Sequence, residues 1–322
     1  MIKTTLHIVD GDSTGGTLGQ SSLRREGEIL SWRDALYSGP VPEGLSLRQL
    51  SRIRSRFWTN GRSTAEFTRR DSDLARYGDY DEVVLWFGSG CTLCELSLIQ
   101  LLSWFGEQRT LPVRLSWVRE HGGILNVEQI VQAYSARHLV KQPQIRLAAK
   151  AWSAFRSPSP GGLNQLYKRR LQALPGLRKA IGWLLREYPA VRGGLSRLQR
   201  KLLREISSRG EAKVSVVVAA VLKAESVGDT FLSDLLERCV QVEHPLVSVE
   251  HPEHTSSRRR LQPQSLIALT DIARRVLRGK VDHVELNGVD YWIGGVHLSG
   301  NQVPWRWDGR RIVPVKGSKV NA

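Results

Sequence analysis

Leu6-His7-Ile8-Val9-Asp10-Gly11-Asp12-Ser13-Thr14-Gly15-Gly16-Thr17-Leu18 is the stretch on which the fold class turns. The apolar run around Leu6 and Ile8 reads as a strand that stops at Asp10-Gly11. The loop at 10–17, with three glycines and three hydroxyl residues, then leads into a helix. Outward from it the alternation repeats. Residues 28–32 form a second short strand that ends at Arg33-Asp34 and runs into the loop Ser38-Gly39-Pro40-Val41-Pro42. Residues 46–58 look helical and carry Arg48, Arg52, Arg54 and Arg56. Residues 83–87 are a strand of the buried type, apolar residues from Leu93 to Phe105 recur at helical spacing, and 113–118 supply another strand. This alternation predicts an α/β domain over residues 1–124, a mainly parallel sheet with Rossmann-like layers of helices on its faces.

Beyond about residue 124 the strand signal stops. Ile145, Ala148, Ala149, Trp152 and Phe155 mark one helical stripe, and Leu177, Ile181, Leu184, Leu185 and Tyr188 mark another. Ser157-Pro158-Ser159-Pro160-Gly161-Gly162 and Arg192-Gly193-Gly194 break the helices. Arg146 and Lys150 fall opposite the first stripe, Arg178 and Arg186 opposite the second, so 125–194 reads as a basic helical region with its cations turned to water. Ser196 and Gln199 have the spacing of a capping box for a helix at 198–206. An ambiguous apolar segment follows at 214–224, then a helix at 230–240 behind Gly228-Asp229, a strand at 246–249 and a helix at 266–277. Residues 281–298 alternate like strands around Asn287-Gly288, a hairpin-turn signal. Helices followed by ribbons predict a winged-helix-like α+β domain over 195–322.

Three cysteines in 322 residues argue against a disulfide framework and fit a reducing compartment. No charged leader opens the chain, and the longest apolar run, at 214–222, is too short for a bilayer, so a cytoplasmic address with no membrane contact is expected. The net charge of +16 is unevenly laid out. Residues 137–210 hold 17 Lys and Arg against two acids, Glu187 and Glu205, whereas the segments on either side are close to balanced. Such a field attracts nucleic acid or another polyanion; a solvated face of an Arg-rich protein has the same composition.

Several phrases resemble a family of uncharacterised bacterial proteins, domain of unknown function 1835. They are LHIVDGDSTGGTL at 6–18, WRDALYSGPVP at 32–42, VVLWFGSG at 83–90, LIQLLSWF at 98–105, AAKAWSAFRSP at 148–158 and GLSRLQRKLL at 194–203. VGDTFLSDLL at 227–236, LNGVDYWIGGVHL at 286–298 and WRWD at 305–308 extend the similarity over most of the chain. The resemblance implies a fold but no activity. It also implies acidic and His residues near the helix start after Trp86-Phe87, where this chain has Gly88-Ser89-Gly90-Cys91.

A glycine-rich loop between strand and helix can aim backbone N–H groups at a phosphate, which nominates Asp12, Ser13 and Thr14 as ligand contacts. The loop matches neither the dinucleotide fingerprint nor the P-loop, so the cofactor stays unassigned, and a tight turn capped by Asp12 or Ser13 explains the same residues. Arg33 and Asp34 at the next strand end, and Ser89 after the third, could line the same crevice, because open α/β sheets bind ligands outside their strand carboxyl ends. An ion pair pinning the loop is the alternative for Arg33 and Asp34.

Cys91-Thr92-Leu93-Cys94 is a C-x-x-C at a strand-to-helix junction, the setting of a redox dithiol; packing of two small residues is the alternative. His244, His251 and His254 with Glu250 and Glu253 match no zinc spacing, and no metal site is expected there. For nucleic-acid contact the candidates are Lys168, Arg169, Arg170, Arg178, Lys179, Arg197, Arg200, Lys201 and Arg204, with Arg258-Arg259-Arg260 and Arg274-Arg275 beside them. A recognition helix at 230–238 would carry Asp234 and Glu237 just behind Asp229, which conflicts with entry into a groove. Tyr291, Trp292, Trp305 and Trp307 could stack on bases, but packing of a hairpin against the helices, with Gly294-Gly295 allowing close approach, is the preferred reading. The preferred expectation is a nucleic-acid-binding protein whose α/β half senses a small phosphorylated ligand. The alternatives are an enzyme acting on such a ligand around Asp12, Arg33, Asp34 and Ser89, and a protein-interaction scaffold.

Overall fold

The computed structural model describes residues 4–59, 63–89, 91–108, 114–250 and 261–315. The chain divides into two compact units, Met1–Trp183 with Trp292–Val296, and Leu184–Tyr291 with His297–Ala322.

The first unit is α/β. Strands β1 (Thr5–Val9), β2 (Gly27–Ser31), β3 (Glu82–Trp86), β4 (Arg114–Val118) and β5 (His138–Leu139) form one sheet in the order β2-β1-β3-β4-β5. The first four are parallel and in step, with Val9 opposite both Ser31 and Trp86, and Trp86 opposite Val118. Their carboxyl ends therefore share one edge. β5 is a two-residue antiparallel edge strand that the sequence pattern does not signal. Every residue of β1 and β3 is buried, as expected of inner parallel strands covered on both faces.

Helices α1 (Asp12–Gln20), α2 (Leu47–Thr59), α3 (Ala65–Ala75), α4 (Thr92–Gly106), α5 (Val127–Ser135), α6 (Gln142–Arg156), α7 (Gly161–Tyr167) and α8 (Leu177–Leu185) complete the elements up to the division between the units. Leu18 of α1 and Ile130 and Ala133 of α5 pack on Val9, Val84, Trp86 and Val118. Alternation sends Val83 and Leu85 to the opposite face, where they are equally buried. α4 is apolar nearly all round, with twelve of its fifteen residues buried, which suits a helix enclosed between a sheet and α6. In α6 the buried stripe is Ile145, Ala148, Ala151, Trp152 and Phe155; Ala149 of the expected stripe is exposed and Ala151 takes its place.

Glycine matters most at the hairpin tip Gly294-Gly295, which belongs to this unit. A Cβ on Gly295 would lie 1.7 Å from the carbonyl oxygen of Arg156, and the Gly295 N–H donates to Phe155 O. The backbones of the hairpin tip and the end of α6 thus approach closely.

In the second unit, α9 (Arg197–Arg209) is followed by β6 (Glu211–Lys213), α10 (Val214–Leu222), α11 (Asp229–Val240), β7 (Val247–Glu250) and β8 (Leu266–Leu269). The capping box of Ser196 and Gln199 forms as its spacing predicts, each side chain bonding the other residue's backbone. The three strands make an antiparallel sheet in the order β6-β8-β7. Then come α12 (Asp271–Leu277), α13 (His283–Asn287), β9 (Val289–Ile293), β10 (Val296–Gly300), β11 (Trp305–Trp307) and β12 (Ile312–Pro314).

Two sequence expectations need correction here. The helix expected at 266–277 begins as a strand, because Leu266–Leu269 pair with both β6 and β7 before Thr270 caps α12. Asn287-Gly288 does not turn a hairpin: Gly288, at φ +69°, ends α13, and the turn between β9 and β10 falls at Gly294-Gly295. Glycine serves both helix ends and turns through the same left-handed backbone, so the dipeptide alone does not distinguish them. The ambiguous segment at 214–224 is helix α10. Among the described residues, no helix is long and apolar enough to cross a membrane.

Candidate functional site

Strand order reverses between β1 and β3: the chain leaves β1 for β2 on one side and β3 for β4 on the other. Open α/β sheets place their ligand crevice at the carboxyl edge of such a switch point. Here that edge carries Asp10 after β1, Ser89 and the Cys91–Cys94 pair after β3, and His121 after β4.

The loops converge because two positions lack side chains. A Cβ on Gly88 would lie 2.6 Å from Cα of His121, and one on Gly122 would lie 2.4 Å from Cγ2 of Thr14. The Ser89 N–H donates to Arg119 O at 2.8 Å, fastening the β3 loop to the end of β4.

Asp10 is the hub. Its Oδ1 accepts from Thr14 Oγ1 at 2.6 Å, and its Oδ2 lies 3.3 Å from the Cys94 thiol and 3.4 Å from His121 Nδ1. Burial opposes ionisation of this carboxyl, but the nearby His121 ring and the hydrogen bonds from Thr14 and Cys94 outweigh it and hold Asp10 below the usual carboxylate range. The facing Asp10 carboxylate raises His121 in turn. Cys91 caps α4, its Sγ accepting from the Cys94 N–H at 3.3 Å. Hydrogen bonding from the Cys94 thiol, against the cost of burial, brings Cys91 down to about 7. Cys94 is pushed well up, because bonding to Cys91, burial and the nearby negative charges all favour its protonated form. Both sulfurs are free thiols. One donor atom from each of Cys91, Cys94 and His121 fits within a mutual distance of 4.8 Å.

The residues nominated from sequence are placed unevenly around this centre. Thr14 is buried and bonded to Asp10. Ser13 and Ser89 are exposed at the same edge. Neither Asp12 nor Ser13 caps α1, whose N-cap is Gly11 without a side-chain bond. Asp12 instead pairs with Arg33, whose guanidinium also reaches Glu66 at 3.0 Å, both contacts on exposed side chains.

Asp34 is buried and committed to a clamp. Its carboxylate receives Arg54 Nε and Nη2 at 3.0 and 2.6 Å and Trp58 Nε1 at 3.2 Å, with Arg54 fully buried. Arg54 also donates to the carbonyls of Ala35, Ser38 and Pro40 and so clamps that loop. Sequence reasoning missed Asp10 and His121 as members of the site. The signal that could have found them is positional: each stands just past a strand of the same parallel sheet.

The basic candidates divide between the units. Lys168, Arg169, Arg170, Arg178 and Lys179 follow or lie on α7 and α8 in the first unit and are exposed; Arg178 donates to Tyr167 O and lies over the Tyr167 ring. In the second unit, Arg197 grips Glu225 through two hydrogen bonds of 2.7 and 2.8 Å and Glu187 at 3.0 Å, while Lys201 holds Glu225 at 2.7 Å. Arg200 donates to Arg192 O; burial, with the charges of Arg204 and Arg192 nearby, lowers it from the ordinary Arg value. Arg274 pairs with Asp271, and Arg275 is exposed.

Tyr291 Oη donates to Glu187 O, a packing role, and Trp292, Trp305 and Trp307 are half-buried. His244 is held through its backbone, its N–H donating to the Asn287 side chain and its C=O accepting from it. His251, Glu253, His254 and Arg258-Arg259-Arg260 lie outside the described residues. No family model matches this chain, and no curated protein matches it.

Proposed function

We propose that the protein binds the phosphate backbone of nucleic acid through the cations of residues 168–204. One observation carries the reading. Among the described residues, only Arg197 and Lys201 of the nine nominated cations are held by carboxylates, while the other seven have no acidic partner. Cations left without acidic partners on either unit can displace the counterions condensed on a nucleic acid, and the release of those counterions drives binding. Sequence discrimination is not part of the proposal, since Lys and Arg on phosphates carry none.

The finer reading of the second unit is a winged helix-turn-helix, supported by three helices, a short strand after the first, and the sheet order β6-β8-β7. Asp229 and Asp234 are exposed on α11 and Glu237 is half-buried there, so phosphate contact in that unit runs through Arg192, Arg200 and Arg204 and not through α11. The resemblance to domain of unknown function 1835 belongs to the same proposal and adds no activity to it.

The experiment is fluorescence anisotropy of labelled duplex DNA, single-stranded DNA and RNA with the full chain across a salt series. The expected result is binding at low salt whose log K falls linearly with log salt. Absence of binding to all three at low salt overturns the proposal. Asp229→Ala with Asp234→Ala should leave duplex affinity within about twofold, whereas a marked tightening would place α11 at the phosphates.

A further inference from the structure

We propose that Cys91, Cys94, His121 and Asp10 form a binding site for a thiophilic divalent cation, with Zn2+ the best chemical fit. The donor set comes first. Two cysteine sulfurs, an imidazole nitrogen and one carboxylate oxygen are the ligand types zinc takes in tetrahedral sites, whereas magnesium and calcium prefer all-oxygen shells.

Distances come next. With Zn–S at about 2.3 Å and Zn–N and Zn–O at about 2.0–2.2 Å, neighbouring ligand atoms on a tetrahedral ion stand roughly 3.3–3.8 Å apart. Asp10 Oδ2 is already 3.3 Å from Cys94 Sγ and 3.4 Å from His121 Nδ1. Donors of Cys91, Cys94 and His121 lie within 4.8 Å of one another, and Asp10, which stands outside that trio but next to Cys94 and His121, supplies the fourth donor by turning towards it.

The surroundings are built for it. The two sulfurs sit one helical turn apart at the start of α4, where the Cys94 N–H already donates to Cys91 Sγ and favours thiolate there. Thr14 donates to the Asp10 oxygen that does not face the cluster, fixing the carboxylate's orientation as an outer-shell partner does. Gly88 and Gly122 admit the backbone approach that brings the three loops together. The Asp10 side chain is only 9% exposed and both cysteines are buried, leaving His121, at 39%, as the open side through which an ion enters.

Binding replaces protons: each thiol that enters as thiolate releases its proton to solvent, so affinity rises with pH. Metal binding here is independent of nucleic-acid contact, which concerns other residues.

The test uses the full chain, reduced, stripped with a chelator, and titrated anaerobically with Co2+ as an optical probe, then with Zn2+ in competition. The expected result is one equivalent of Co2+ with thiolate-to-metal absorption and tetrahedral visible bands, displaced by Zn2+. Zn2+ should also protect Cys91 from alkylation. Cys94→Ser and His121→Ala should lose the thiolate spectrum or weaken binding by at least about 100-fold, and Asp10→Asn should weaken it by about 10–100-fold. Cys239→Ser, a buried cysteine of the other unit, should change nothing. Failure of the reduced wild-type protein to bind either ion overturns the proposal whatever the variants do. So does Co2+ bound without thiolate absorption. Ready oxidation of Cys91 and Cys94 to a disulfide with no metal uptake overturns it in favour of a redox dithiol.

Discussion

Replacing Asp34 with Asn removes one charge and almost no volume, which isolates what the buried pair with Arg54 contributes. Arg54 is 0% exposed and the Asp34 side chain 1%, so water cannot take over the guanidinium when its counter-charge goes. Removing one partner of a buried pair typically costs about 3–5 kcal/mol. The carbonyls of Ala35, Ser38 and Pro40 still accept from Arg54, and Asn keeps one acceptor oxygen, so the lower end, about 3 kcal/mol, is expected for Asp34→Asn. Arg54→Met leaves the carboxylate with only Trp58 and strips those three carbonyls of a donor, so about 5 kcal/mol is expected. Combining Arg54→Met with Asp34→Leu should cost less than either change alone, because neither charge then remains buried. The assay is urea unfolding followed by tryptophan fluorescence, with the transition assigned to the first unit by its Trp32 and Trp58. In thermal unfolding, a loss of about 3 kcal/mol in a unit of this size corresponds to roughly 6–12 °C. A loss below about 1 kcal/mol, the level of a solvated pair, would refute the clamp and return Asp34 to the ligand-binding candidates.

Arg33→Ala should cost no more than about 1 kcal/mol, because its contacts to Asp12 and Glu66 are solvent-screened, and high salt should erase the difference in denaturation midpoint. Gly88→Ala should disturb the crevice more than the sheet, since its methyl would meet the His121 backbone at 2.6 Å; a shifted His121 imidazole resonance with secondary structure retained in circular dichroism is the expected result. His7 is buried in β1, and burial lowers it from 6.5 to about 4, with Trp86 Nε1 donating to its Nδ1. The unfolded chain therefore takes up this proton first as pH falls. Stability present above pH 6.5 should decline towards pH 4 by about 3 kcal/mol from this residue, and His7→Gln should flatten that part of the curve.

The α/β layout is legible because the first half carries two independent signals at each step, an apolar strand run and a following helical period. The short edge strand β5 carries neither, being two exposed residues held by pairing with β4. Leu266–Leu269 read as helix because the strand and the following helix α12 share one apolar stretch, and only pairing with β6 and β7 separates them. At the site, Thr14, Ser89 and the two cysteines are within reach of motif reading, since each lies in or beside a loop between a strand and a helix. Asp10 opens the glycine-rich loop but is not singled out by it, because nothing in the motif gives the first residue a role, and His121 stands in a loop with no motif. Their roles depend on sheet order, which puts the ends of β1, β3 and β4 side by side, and on Gly88 and Gly122, whose missing side chains let the loops touch. Charge segregation in 137–210 is plain from composition, but composition treats Arg197 and Lys201 as free when Glu225, outside that segment, holds both.

The most direct test of the proposed function compares the salt dependence of DNA binding for wild type, Lys168→Glu/Arg169→Glu/Arg170→Glu, and Lys201→Gln. The first variant reverses three exposed cations without acidic partners; the second removes a cation already held by Glu225. The account predicts that the plot of log K against log salt becomes shallower by about two to three for the triple variant, roughly 0.9 for each phosphate no longer neutralised, and stays within error of wild type for Lys201→Gln. Equal slopes in all three proteins would contradict it.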